Sequence, residues 1–177
     1  MKKLGKNIIL KIIVGGDGGI GKTTYLHRYC TNIFLTNTAL TVGVDFLTKI
    51  VTYEDATYNL AIWDLGGQEQ FRFILSSYVR GAHAGLLFFG LDRVQSFMNL
   101  GEWISILRSE KPELPLVLIG TKADLEDDDS RVTDADIDQF IENNNIIAYI
   151  RTSSKTGENI SQPIDELIQY SYNNMKK

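Results

Sequence analysis

The chain lacks the features of a secreted, membrane-spanning or nucleic-acid-binding protein. Its single cysteine, Cys30, cannot form a disulfide within the chain. The first residues do not form the apolar stretch of a signal peptide, and the longest apolar run is only as long as a strand. With 18 basic and 22 acidic residues, the chain has no positive excess that would attract nucleic acid. These absences predict a cytoplasmic protein that has no nucleic-acid partner.

Sequence features that mark linkers or domain boundaries are also scarce. The sequence has three prolines in 177 residues, and it contains neither an internal repeat nor a low-complexity segment. A chain of this length can bury one core, so we expect a single domain over residues 1–177. The acidic run Glu126–Asp129 lacks the spaced ligands and the glycine of a calcium loop, which favours a solvated loop. The two histidines stand apart, with no partner at the spacing of a metal site.

Apolar runs alternate with helical patterns, which predicts an α/β fold with a six-stranded, mostly parallel sheet and helices on both faces. The predicted strands are Asn7–Val14, Val44–Tyr53, Tyr58–Asp64, Gly85–Leu91, Leu116–Thr121 and Ile146–Thr152. The second and third flank the polar turn Glu54–Thr57, so they should form the one antiparallel pair, with an edge strand. The predicted helices are Gly21–Cys30, Gln70–Arg80, Ser96–Lys111, Asp134–Asn143 and Ile160–Asn173. In the last helix, apolar residues recur every three or four positions, so one stripe should face the sheet.

A glycine-rich segment follows the first predicted strand directly. Residues Gly16–Thr23 read GDGGIGKT, the pattern GxxxxGK[ST], in the strand-then-helix context that this phosphate-binding motif requires. Glycines let the backbone turn a row of N–H groups towards one anion, and the following helix adds its positive end. Lys22 would place a charge between the β- and γ-phosphates, and the Thr23 hydroxyl suits Mg²⁺. The segment predicts a P-loop that binds a nucleoside triphosphate.

A second motif, DxxGQ, ends the third predicted strand at Asp64–Gln68. The Asp64 carboxylate can hold the hydration shell of Mg²⁺, and the Gly67 N–H can approach a γ-phosphate closely. Gln68 can then orient a water for in-line attack, because phosphoryl transfer depends on positioning and charge stabilisation. We therefore predict that Gln68 is the catalytic residue.

The segment of residues 31–41, between the first predicted helix and the second strand, is polar and β-branched without a clear period. This pattern indicates a mobile loop. Thr41 can offer a second hydroxyl to Mg²⁺ and its N–H to the γ-phosphate, contacts that exist only with a triphosphate bound. The loop contains no arginine, so it offers no obvious residue that neutralises charge in the transition state.

Base recognition is assigned to the loops after the fifth and sixth predicted strands. Within Thr121–Asp124, the Asp124 carboxylate can accept both N1–H and N2–H of guanine, whereas adenine presents no matching pair of donors. Lys122 can lay its aliphatic stem along the base, and Ser153–Lys155 can offer a backbone N–H to the guanine carbonyl. Ligands of open parallel sheets lie at the carboxyl ends of the strands, so these loops should meet the phosphate motifs there. The predicted cofactors are GTP or GDP and Mg²⁺.

The predicted site combines all of these motifs. Its catalytic residue is Gln68, and its metal ligands are Thr23, Thr41 and Asp64. Its nucleotide contacts are Gly16, Asp17, Gly18, Gly19, Ile20, Gly21, Lys22, Thr23, Thr24, Phe34, Thr41, Gly67, Thr121, Lys122, Asp124, Ser153, Ser154 and Lys155.

With these motifs in their order, nearly the whole chain resembles a Ras-superfamily small GTPase, most closely of the Rab branch. Besides the nucleotide motifs, four segments are similar to Rab segments: Thr41–Phe46, Ile62–Asp64, Gln68–Arg72 and Ser76–His83. Leu65–Gly67 instead resembles the Arf and heterotrimeric Gα pattern, where Rab proteins usually carry Thr-Ala-Gly. Thr121 stands where most of the family has asparagine.

The resemblance implies a G domain of the P-loop NTPase fold that acts as a monomeric GDP/GTP switch. Exchange factors, GTPase activators and effectors would read residues 31–46 and 64–80, and a role in membrane traffic is expected. Residues 171–177 carry no cysteine for prenylation, so membrane contact is expected only through an anchor or tail that this sequence does not include.

Two other functions remain open from the residues alone. One is a guanine-nucleotide-binding module with negligible turnover, which the presence of Gln68 and Gly18 argues against. The other is a P-loop kinase or ATPase, which would need an acceptor pocket and another base-reading loop.

Overall fold

The computed structural model describes residues 5–125 and 132–176, so the acidic run Glu126–Asp129 lies outside the described residues. The described residues form one six-stranded sheet with the strand order β2-β3-β1-β4-β5-β6, in which only the β2–β3 pair is antiparallel. Its strands are β1 (Lys6–Gly15), β2 (Val44–Tyr53), β3 (Ala56–Leu65), β4 (Ala84–Gly90), β5 (Leu116–Thr121) and β6 (Ala148–Arg151). The predicted α/β sheet with its antiparallel edge strand is confirmed.

Helices cover both faces of the sheet, as predicted. They are α1 (Lys22–Thr31), α2 (Arg72–Val79), α3 (Val94–Met98), α4 (Leu100–Leu107), α5 (Asp134–Asn144) and α6 (Gln162–Met175). Because successive side chains of a strand point to opposite faces, Ile12 belongs to the core under α1 and α6 and Ile13 to the core under α2 and α4. The apolar stripe of α6 is buried, as its spacing predicted. None of the described helices combines the length and apolarity needed to cross a bilayer.

The register of the central strands brings the functional motifs to one edge. Strands β4 and β5 are buried along their whole length, which explains why they read as unbroken apolar runs. Val14 of β1 pairs with Asp64 of β3, and Gly90 of β4 pairs with Thr121 of β5. The loops that follow these strands therefore begin at the same edge of the sheet, next to the glycine-rich segment.

Several boundaries differ from the predicted ones. Ala56 pairs with Tyr53 across the hairpin, so the turn contains only Glu54 and Asp55, and Glu54 has a positive φ of 52°. Residues 69–71 form a 3-10 turn, and α2 begins only at Arg72. The predicted helix Ser96–Lys111 was wrong as one element, because it divides at Asn99 into α3 and α4. The Asn99 side chain bonds to the glycine-rich segment, a distant contact that periodicity does not reveal.

Candidate functional site

A cleft of ≈ 350 Å³ opens at the carboxyl edge of the sheet. The predicted residues that line it are Gly18, Gly19, Gly21, Lys22, Thr23, Thr24, Phe34, Thr41, Gly67, Gln68, Thr121, Lys122, Asp124, Ser154 and Lys155. Five predicted residues do not line it: Gly16, Asp17, Ile20, Asp64 and Ser153. Its wall also contains residues that the sequence did not single out, namely Leu35, Thr36, Thr38, Ala39, Leu40 and Leu125. Five segments that are distant in the sequence thus share one cavity.

Lys22 follows the glycine-rich loop directly, and its buried side chain lines the cleft. Its side chain is 5% exposed, and Nζ donates hydrogen bonds to the carbonyls of Gly16 and Asp17, each at 2.7 Å. Burial lowers the pKa of Lys22 to about 8, while the neighbouring carboxylates of Asp64 and Asp17 act in the opposite direction. The ammonium group is therefore held by the backbone carbonyls of the glycine-rich loop.

Three oxygen donors meet beside this loop. Thr23 Oγ1, at the start of α1, donates to Asp64 Oδ2 at 2.5 Å and lies 2.7 Å from Thr41 Oγ1. Asp64 is fully buried, and its Oδ1 has no hydrogen-bond partner. Burial raises the pKa of Asp64, which the hydrogen bond from Thr23 and the charge of Lys22 counteract.

The donor set fits a hard divalent cation. An unpartnered oxygen of a buried carboxylate is costly, and a cation would remove that cost. Magnesium prefers oxygen ligands and commonly combines one or two carboxylates with phosphate oxygens and water, which two hydroxyls and Asp64 suit. Elsewhere in the described part of the chain, no group of three or more His, Cys, Asp or Glu side chains is arranged to hold a metal ion.

The DxxGQ motif packs directly on the glycine-rich segment. A Cβ placed on Gly67 would collide with the backbone of Gly18 and Gly16, so only glycine permits this approach. Gln68 lines the cleft beside this contact, and its Oε1 accepts a hydrogen bond from Gln70 Nε2 at 3.1 Å. The approach is close enough for the backbone of this motif to respond to whatever the glycine-rich segment binds.

The base-reading loops are joined to the phosphate loop by hydrogen bonds. Thr121 Oγ1 donates to the carbonyls of Ile20 at 2.6 Å and Phe89 at 3.1 Å. Asp124 lies in a 3-10 turn, where its Oδ1 accepts a hydrogen bond from the buried Ser153 hydroxyl at 2.6 Å. Ser153 is thus placed behind the cleft, where it orients the Asp124 carboxylate.

Lys122 makes an ion pair that the sequence did not suggest. Its residue adopts a positive φ of 62°, and its Nζ lies 2.8 Å from Asp92 Oδ2, in the loop after β4. The predicted role for its stem, along the base, is compatible with its place in the cleft wall. The ion pair fixes the ammonium end of that stem.

The side chain of Asp17 makes contacts that the sequence did not suggest. Its carboxylate points away from the cleft: Oδ1 accepts hydrogen bonds from Arg72 Nη2 at 3.0 Å and Trp103 Nε1 at 2.8 Å. Oδ2 accepts from Asn99 Nδ2 at 2.6 Å, and Arg72 also pairs with Glu102. The side chain therefore ties the glycine-rich loop to α2 and α4. The motif leaves this position unspecified, so no sequence signal pointed to the network.

Comparison with known proteins agrees with this geometry. The sequence pattern of the Ras family matches residues 11–173. The chain is 36% identical to human Ras-related protein Rab-9B over 170 residues, which cover 93% of this chain and 84% of that protein. It is 36% identical to RABG3f of Arabidopsis thaliana over 163 residues (89% and 79%) and 33% identical to Rab7 of Cenchrus ciliaris over 175 residues (96% and 85%).

A six-stranded sheet with helices on both faces and a phosphate loop beside a buried carboxylate defines a nucleotide-binding P-loop protein. The chain belongs to the Ras family and is a Rab-like small GTPase, which binds guanine nucleotide and hydrolyses GTP. The predicted family and activity are confirmed. The relatives do not support the alternative of a module without turnover.

Proposed function

We propose that this protein is a GDP/GTP switch, built as a single monomeric G domain over residues 1–177, that acts in membrane traffic. The observation that carries the proposal is the composition of the cleft. One cavity contains phosphate-loop residues, Asp124, the loop residues 34–36 and 38–41, and Gln68. A bound nucleotide would therefore touch the loops that a partner reads.

Guanine selection falls to Asp124. Its carboxylate can accept two N–H groups of guanine, and the buried Ser153 hydroxyl orients it through a 2.6 Å hydrogen bond. Charged acceptors form stronger hydrogen bonds than neutral ones, so the pair of contacts discriminates against adenine. Ser154 and Lys155 complete the wall at this end, and Thr121 ties it to the phosphate loop.

Thr23, Thr41 and Asp64 are the residues that would hold Mg²⁺. When bound, the ion neutralises the charge of the β- and γ-phosphates. The unpartnered Asp64 oxygen and the two hydroxyls supply this chain's share of the coordination. Thr41 belongs to residues 31–46, and its hydroxyl lies 2.7 Å from that of Thr23 at the start of α1, so occupation of the site would hold that segment in this position.

Gln68 is the residue that would position the attacking water. It lies in the cleft beside Gly67, whose backbone packs on Gly18. The water oxygen forms a bond to the γ-phosphorus while the bond to the β–γ bridging oxygen breaks, and the bridging oxygen keeps the electron pair. The proton of the water passes to the phosphate products. Gln68 contributes orientation, since the chemistry needs little covalent help from the protein.

The two partner-reading segments carry exposed apolar side chains. Val42 is 71% exposed, Phe73 is 79% exposed and Phe46 is 49% exposed. Exposed apolar side chains on these two segments favour a protein partner. We assign the contacts with exchange factors, GTPase activators and effectors to residues 31–46 and 64–80. Similarity to Rab proteins supports the traffic role, at a membrane surface where a lipid anchor or tail is available.

The decisive experiment identifies the nucleotide that copurifies with the protein, with and without Mg²⁺, and follows one turnover of bound GTP. We expect GDP or GTP in near-stoichiometric amount, faster nucleotide release after chelation of Mg²⁺, and slow conversion of GTP to GDP. An adenine nucleotide, or GTP release that is indifferent to chelation, would contradict the assigned base and metal contacts.

A further inference from the structure

Arg93 lies between β4 and α3, at the carboxyl edge of the sheet and outside every motif described above. Its Nη1 donates a hydrogen bond to the carbonyl of Gly18 at 2.8 Å. Its two terminal nitrogens lie 3.6 and 3.7 Å from the position of a Cβ placed on Gly19, and Leu40 lies 3.8 Å from the same point. The guanidinium group therefore covers the outer side of the phosphate loop at its two central glycines.

Gly18 is also the residue that the DxxGQ motif approaches. A Cβ placed on Gly18 would lie 3.7 Å from the carbonyl carbon of Gly67 and 3.9 Å from the backbone nitrogen of Gln68. Arg93 and Gln68 thus reach Gly18 from two different elements. The guanidinium group of Arg93 therefore contacts the same glycine that the backbone of Gln68 approaches, while Arg93 itself is not among the residues that line the cleft.

The charge of Arg93 is not committed to a carboxylate. The neighbouring Asp92 pairs with Lys122 at 2.8 Å, and none of the ion pairs within residues 5–125 and 132–176 includes Arg93. The side chain is exposed, and its one hydrogen bond is to a neutral carbonyl. A phosphate oxygen is a stronger acceptor for a guanidinium group than a peptide carbonyl is. Exchange of the hydrogen bond to the Gly18 carbonyl for one to a phosphate oxygen would therefore be favourable for the Arg93 guanidinium group.

The backbone that carries Arg93 is fixed. Its N–H donates to the carbonyl of Gly90 at 2.9 Å, and its own carbonyl accepts from the Ser96 hydroxyl at 2.6 Å and the Ser96 N–H at 3.0 Å. Ser96 is fully buried. A fixed backbone and a guanidinium group without an anionic partner suit a charge-stabilising side chain. Little further conformational entropy is then lost when the side chain binds in the transition state.

We propose that Arg93 is a catalytic residue that supplies in cis the positive charge that residues 31–41 lack. During hydrolysis its guanidinium leaves the Gly18 carbonyl and binds phosphate oxygens, where charge accumulates as the bond to the bridging oxygen breaks. No proton or electron pair passes through Arg93. The inference rests on the proposed role of the phosphate loop, and it adds a residue to the machinery described there.

The test compares Arg93→Ala and Arg93→Lys with Lys111→Ala, which removes an exposed positive charge remote from the site. Each protein is loaded with GTP, and one turnover is measured without any partner. We expect Arg93→Ala to hydrolyse GTP about 10- to 100-fold more slowly than the wild type. This is less than the effect of an arginine supplied by a partner, because Arg93 is exposed to solvent. Arg93→Lys should lie between the two, and Lys111→Ala should match the wild type.

A second measurement separates catalysis from support of the loop. GDP with aluminium fluoride mimics the transferring phosphoryl group, so the wild type should form this complex alone and Arg93→Ala should lose it. GDP affinity should be equal in both proteins. Hydrolysis by Arg93→Ala within twofold of Lys111→Ala would overturn the proposal. Equal losses of hydrolysis and GDP affinity would also overturn it, and they would leave the assignment of Gln68 and Asp124 untouched.

Discussion

The two ends of the cleft are built in different ways. At the phosphate end, the buried side chains of Lys22 and Asp64 lie among hydrogen bonds that join segments far apart in the sequence, such as Thr23 with Thr41. At the base end, Asp124 has one side-chain partner among the described residues, Ser153, and the two residues lie in the short loops that follow β5 and β6. The phosphate end therefore includes the long segment of residues 31–46 through Thr41, whereas the base end is formed by two short loops at the edge of the sheet.

This difference predicts different effects of substitutions at the two ends on nucleotide binding and on GTP hydrolysis. A change at the base end should weaken GDP and GTP binding alike, since both nucleotides carry the same base. A change at the phosphate end should separate GTP from GDP, or hydrolysis from binding, because only the triphosphate carries the γ-phosphate that Thr41, Gly67 and Gln68 would engage.

The largest effect is expected at the base end, from Asp124→Ala. Loss of a charged acceptor for two N–H groups should cost a few kcal/mol, or about 100-fold in affinity for GDP and for GTP. Asp138→Ala, which removes an exposed carboxylate from α5, is the matched control. Calorimetric titration with GDP and ADP measures both variants. Equal affinity of the wild type for GDP and ADP would contradict the role of Asp124.

The next effect belongs to the phosphate end. Gln68→Leu should slow a single turnover of GTP about tenfold or more, from a wild-type rate on the order of 10⁻⁴ to 10⁻² s⁻¹, and leave GDP affinity almost unchanged. The side chain acts on water rather than on phosphate, so binding should not depend on it. A variant that hydrolyses GTP as fast as the wild type would show that another group positions the water.

A smaller effect is expected from Thr23→Asn, which replaces the hydroxyl beside Asp64 and Thr41 by an amide. GTP affinity should fall about tenfold more than GDP affinity, because the triphosphate depends more on the metal clamp. Titrations of both nucleotides at fixed Mg²⁺ measure the ratio, and repetition without Mg²⁺ should abolish the difference. Equal losses for GTP and GDP at fixed Mg²⁺ would count against Thr23 as a metal ligand.

The smallest effect concerns the support behind the phosphate loop. Trp103→Phe removes the N–H that donates to the Asp17 carboxylate together with part of a fully buried ring, so unfolding free energy should fall by at least about 1.5–3 kcal/mol. Tyr25→Phe removes a hydrogen bond to the neutral carbonyl of Ile160 and should cost about 1 kcal/mol. Urea unfolding of the nucleotide-free proteins measures both. A cost for Trp103→Phe below that for Tyr25→Phe would show that Asp17 gains little from this donor.

The sequence was sufficient for the sheet and for most of the cleft because its signals are local. Unbroken apolar runs identified β4 and β5, and glycine spacing identified the phosphate loop, since each pattern reflects the conformation of its own segment. The gathering of the motifs at one edge of the sheet followed from the rule that ligands lie at the carboxyl ends of parallel strands. The division of the helix at Asn99 could not be predicted, because it coincides with a hydrogen bond to Asp17, 82 residues away.

What the sequence by itself determined is the chemistry available at each strand end: the carboxylates of Asp64 and Asp124, the hydroxyls of Thr23 and Thr41, and the amide of Gln68. The tertiary structure alone decided which of these groups face the cleft and which support it. It turned Asp17 away towards Arg72 and Trp103, and it placed Arg93 on the carbonyl of Gly18. The orientation of these side chains depends on contacts between segments that meet only when the helices pack on the two faces of the sheet. No local sequence pattern encodes such contacts.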